Sequence, residues 1–120
     1  MRFGQDTTVT KFRYDMPGTQ VSDFAAHGVR SCALARGNGE MHVWLLTFEP
    51  GGEIGTHLAG FDQLFYVLDG SAWLEVSGER VELAVGEGAT VELGQNHAKG
   101  SHDGARVLMV QINALDLPRE

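Results

Sequence analysis

The sequence predicts an all-β, single-domain barrel, and three observations carry that prediction. Apolar runs of strand length recur along the chain, glycines separate them, and no stretch sustains a 3.6-residue apolar period. Of the 16 glycines, many fall between the runs, in RGNGE, EPGGEIG, LDGS, VSGERV, VGEGA, LGQNH and HDGA. Short strands at regular spacing with such turn signals build sandwiches and barrels.

In chain order, the first twenty residues or so are polar and weakly patterned. They read as an arm that pairs with the edge of the same sheet or of a second subunit. TQVSDFAAH has room for a turn or two of helix. SCALAR holds the single cysteine, Cys32, read as a small buried hydrophobe. MHVWLLTF is the first long strand. PGGEIGTHLAGFDQLFYVLDG reads as strand, turn, strand, with His57 at the top of the first strand. SAWLEV alternates, with Ala72, Leu74 and Val76 against Trp73 and Glu75. RVELAV, ATVEL and RVLMVQI follow as strands, with His97 in the turn after ATVEL, and LDLPRE reads as a frayed tail. The division is residues 1–39 for the arm and first strands, 40–113 for the barrel core, and 114–120 for the tail.

Composition excludes several classes. The chain has 120 residues, is 42% hydrophobic and 21% charged, and carries a net charge of −7. A nucleic-acid partner would need a basic stripe, and an anionic membrane would repel this chain. One cysteine allows neither an internal disulfide nor a Cys-rich zinc site. No apolar run reaches the roughly 18 residues of a membrane span, and MRFGQDTTVT has no apolar signal core. A cytoplasmic location and a small-molecule ligand are the expectations.

Two spaced motifs then stand out. Gly51, five residues, His57, Leu58, Ala59, three residues, Gln63, six residues, Gly70 is the first. Gly86, five residues, Glu92, Leu93, Gly94, two residues, His97, three residues, Ser101 is the second. From Glu40 to Ile112 the chain resembles the cupins, small jelly-roll barrels of the double-stranded β-helix type. The resemblance implies one cupin barrel whose first motif offers His, His and Glu, and whose second offers His, to one divalent metal inside the cup. Only His57 and His97 match those ligands. Ala59 stands where the second His would be and Gln63 where the Glu would be, while Glu92 and Ser101 depart at turn-shaping positions.

Two imidazoles and an amide oxygen make a three-ligand set, His57, Gln63 and His97, open to Zn, Ni, Mn or Fe. Lacking a carboxylate, the ion would keep its full double charge, bind weakly and polarise substrate oxygens strongly. The leading function expectation is a mononuclear metal-dependent enzyme of isomerase or lyase type, acting on a sugar, sugar acid or keto acid. Tyr66 and His42 are the proton-transfer candidates, although His42 reads more readily as an ordinary sheet residue. Asp62 is offset by one residue and faces away from Gln63. A metal-dependent dioxygenase is a second enzyme reading, weakened by the missing carboxylate. A metal-free binding module is the rival, and Ala59 favours it. Phe61 and Phe65 share the parity of Gln63 and are placed around the cup. Arg106 and Lys99 are candidate clamps for a substrate carboxylate, though a surface salt bridge is the commoner fate of such residues. A homodimer is the expected assembly.

Overall fold

β6 organises the molecule, because this one long strand, Asp62–Val76, belongs to both walls of the fold. The computed structural model describes residues 9–13 and 18–116. The polar arm's first eight residues, residues 14–17 and the end of the LDLPRE tail lie outside the described residues. The other strands are β1 (Thr10–Arg13), β2 (Thr19–Gln20), β3 (Arg30–Ser31), β4 (Arg36–Phe48), β5 (Glu53–Leu58), β7 (Glu79–Ala84), β8 (Glu87–Val91), β9 (Asn96–Gly100) and β10 (Ala105–Asp116).

The first half of β6 pairs antiparallel with β8 on one side and β10 on the other, giving a wall in the order β1-β8-β6-β10-β4. Its second half pairs with β7 and β9, and β9 pairs in turn with β5. The two walls face each other as a jelly roll. Among the described residues, β1 and β4 are each paired along one side only, so the sheet does not close around. β1 does pair with the edge of the same sheet, at β8.

The core lies between the walls. Phe48, Phe65, Val67 and Val107 from one wall meet Leu74, Val76 and Leu83 from the other, and burying each such side chain contributes about 1.5–3 kcal/mol. A second, smaller cluster of Leu64, Ile112 and Leu115 covers the outer face of the first wall. Period-two alternation in β6 explains the split: Gln63, Phe65 and Val67 point inward, Leu64 and Tyr66 outward.

Several expectations change. QLFYVL and SAWLEV are one strand, not two, because the chain bends at Gly70 without losing its ladder. Gly70 has a φ of +77°, and a Cβ there would overlap the Gly104 carbonyl oxygen. The helical segment shrinks to one 3-10 turn, Asp23–Ala25, with left-handed backbone at Phe24. Cys32 is exposed rather than buried, since it follows β3, which pairs only with β2 in a separate two-stranded ribbon. His97 lies in strand β9, because the turn closes earlier, at Leu93–Gly94. The β4–β10 pairing reaches Arg36 and Asp116, beyond both ends of the 40–113 span. No helix among the described residues is long and apolar enough to cross a membrane.

Candidate functional site

His57 and His97 are direct cross-strand partners on β5 and β9, and their ring centroids lie 4.4 Å apart. Their juxtaposition follows from the stitching of the two motifs. The Ala59 amide donates to the Gln95 carbonyl and the Gly94 amide to the Ala59 carbonyl, which sets the register. Ala59 itself packs into the apolar core.

The two rings differ in environment. His57 is exposed, and its Nδ1 lies 2.8 Å from the Gly55 carbonyl oxygen. A carbonyl only accepts, so Nδ1 carries the proton and Nε2 is a bare acceptor. His97 is 1% exposed, and neither of its ring nitrogens makes a hydrogen bond among the described residues. Burial, then the charges of Lys99 and His57, push its pKa down to about 4, although the nearby backbone of Gln95 and His57 favours the charged ring slightly. His97 is therefore a neutral imidazole at pH 7.

Lys99, two residues along β9, is 2% exposed. Its ammonium donates to Gln63 Oε1 at 2.9 Å and to Met109 Sδ at 3.3 Å, and sits 5.5 Å from the centre of the Phe65 ring. Burial lowers its pKa to about 8, so it is charged at neutral pH. Among the described residues no carboxylate forms an ion pair with it. Sequence reasoning ranked a surface salt bridge as the commoner fate of this lysine; the structure buries it. The available signal was parity, since Lys99 and His97 alternate with Ala98 and share a face of β9.

Gln63 faces Gln111 across β10, and Gln111 faces His42 across β4. Trp44 Nε1 donates to Gln111 Oε1 at 2.9 Å. His42 stands at the rim, with its Nε2 2.8 Å from Glu40 Oε2 and its ring 5.4 Å from that of Phe61. Gln111 and Met109 were not singled out from the sequence, although alternation in RVLMVQI aims both inward. Tyr66 is not brought to this site: it lies on the outward parity of Leu64, opposite Leu108. Arg106 is exposed. Asp62 is fully buried and accepts hydrogen bonds from the Leu93 and Leu115 amides at 2.9 and 3.0 Å, a structural role.

The donor set does not fit a divalent ion as it stands. Ala59 offers no donor, and no group of three His, Cys, Asp or Glu among the described residues could hold one. Gln63 Oε1 is already engaged by an ammonium. An ion ligated at about 2.1 Å by that oxygen would lie within about 5 Å of Nζ, where the charges repel by roughly 7 kcal/mol at an effective dielectric of 20. Loss of the Lys99 proton would relieve that repulsion, and with a pKa of about 8 it costs only about 1–2 kcal/mol near pH 7.

A family model described as "Cupin domain" matches residues 44–111. Solved structures share the fold. One is a conserved protein of unknown function from Streptococcus pyogenes, at 22% identity over 72% of this chain and 75% of that one, with a TM-score of 0.60. A cupin superfamily protein from Desulfitobacterium hafniense is 14% identical over 92% and 83%, with a TM-score of 0.59. An RmlC-like cupin from Shewanella frigidimarina is 22% identical over 67% and 75%, also at 0.59. No curated protein matches significantly.

Proposed function

The chain belongs to the cupin-domain family, and on that footing we propose that it is a small-molecule-binding cupin whose cup works without a metal. The observation that carries this reading is the Lys99–Gln63 hydrogen bond, which places a buried positive charge on the oxygen that a metal would need. The rim residues His42, Trp44 and His57 are at least partly exposed, and the floor residues Gln63, His97, Lys99 and Met109 are buried, which suits a ligand entering between β4 and β5.

A mononuclear metal enzyme acting on a small oxygenated substrate is the second reading. What favours it is His97, with both ring nitrogens unpartnered among the described residues, beside His57 with a bare Nε2. It requires Lys99 to leave Gln63 or to lose its proton. Titration calorimetry with zinc, nickel and manganese separates the two. The wild type is expected to bind none stoichiometrically. The double variant Gln63→Glu, Lys99→Met replaces the ammonium with a carboxylate ligand and is expected to bind zinc at least about a hundredfold more tightly. One-to-one zinc binding by the wild type, abolished in His57→Ala, would put the metal enzyme first.

The homodimer also remains our reading of the assembly. β4 is open along one edge, and its outer face exposes Met41, Val43 and Leu45, each more than half accessible. Sedimentation of the full chain at micromolar concentration is expected to give a dimer that Val43→Asp dissociates. A wild-type monomer at that concentration contradicts it.

A further inference from the structure

We propose that the cup is a receptor for a small hydroxycarboxylate, with Lys99 holding the carboxylate and the His57–His97 pair holding the hydroxyl. This rests on the metal-free reading above and names the ligand class of that site.

The argument starts from what the floor lacks. A buried ammonium is costly unless it is paired, and among the described residues Lys99 has as acceptors only an amide oxygen and a thioether sulfur, the latter weak. An apolar side chain of similar length would fill the same space without that penalty. The fold carries the charge nonetheless, and no carboxylate among the described residues pairs with it. His97 is the second observation. It is buried as deeply, lies on the same face of the same strand, and has no hydrogen-bond partner at either ring nitrogen among the described residues.

Each of these groups specifies a part of the ligand. The ammonium calls for an anion, and a charge-assisted bond at such a floor is stronger than a neutral one. The neutral imidazole of His97 offers one donor and one acceptor, and His57 Nε2 offers an acceptor. A hydroxyl, which both donates and accepts, matches that pair. A second carboxylate could use the His97 donor but would meet a lone pair at His57 Nε2. Phe65 beside Nζ and Trp44 on the facing wall supply apolar surface for a short carbon chain. The net charge of −7 does not oppose this, since charges beyond about 8 Å are screened at physiological salt.

The test is titration calorimetry on the full chain in EDTA, with glycerate, propionate and propane-1,2-diol as probes. Glycerate is expected to bind at least about tenfold more tightly than propionate, and the diol not to register. Lys99→Met is expected to weaken glycerate at least about tenfold. Lys99→Gln, which keeps a donor without charge, is read beside it, and an amide spectrum establishes that each variant is folded. His57→Ala is expected to bring glycerate to the level of propionate. Equal glycerate binding by wild type and both folded Lys99 variants overturns the proposal, as does no glycerate binding with or without zinc; neither outcome touches the metal-free reading. Glycerate binding that appears only with zinc, and survives Lys99→Met, overturns both.

Discussion

Asp62→Ala is expected to lower the free energy of unfolding by about 3–5 kcal/mol. The Asp62 carboxylate is fully buried at the start of β6, and each of its oxygens accepts one backbone amide, from Leu93 in the second motif's turn and from Leu115 near the end of β10. A hydrogen bond to a charged group contributes about 1.5–3 kcal/mol, and alanine removes two and strands the buried Leu115 donor. Asp62→Asn should lose roughly half as much, because one end of an amide still accepts while the other meets a donor with a donor. Urea unfolding of the two variants checks this. A loss below about 1 kcal/mol for alanine would show that water replaces the carboxylate at no penalty, and that the Leu93–Gly94 turn leading into β9 is held some other way.

Acid is expected to destabilise the fold by about 3 kcal/mol through His97 alone, between about pH 6.5 and pH 4. Burial, followed by the charges of Lys99 and His57, lowers the folded ring to about 4, against 6.5 for the ordinary imidazole. Between those values the unfolded chain binds more protons than the folded one. The contribution is therefore complete above pH 6.5 and lost as pH falls towards 4. Lys99 stays protonated through this window, since its own pKa is lowered only to about 8. Glu87 is held below the usual carboxylate value, chiefly by the Ala84 amide, so its protonation acts mostly at the lower end. Urea unfolding across pH 4–7 of the wild type and His97→Leu isolates the ring: the wild type should show the slope and the variant should lose most of it. Parallel profiles would mean that His97 is solvated in the folded state.

The strands were legible because their signals are local. Alternation in SAWLEV and the inward parity of Phe65 need only a period of two, and the turn glycines need only a left-handed backbone, as at Gly70 and Gly94. The meeting of His57 and His97 was legible through motif spacing. Other features depend on which segment lies opposite, which no local pattern records. The same reading therefore missed the exposure of Cys32, the outward face of Tyr66 and the strand position of His97.

By itself the sequence determined an all-β jelly roll of the cupin kind and the two histidines that face each other across it. Tertiary structure alone decided what surrounds them. Whether a lysine two residues past a histidine reaches water or an amide on the opposite wall depends on the distance between walls, and that is set by how the whole core packs. Here the walls bring Gln63 Oε1 and Met109 Sδ within reach of Lys99 Nζ. The oxygen that spacing offered to a metal is thereby given to an ammonium.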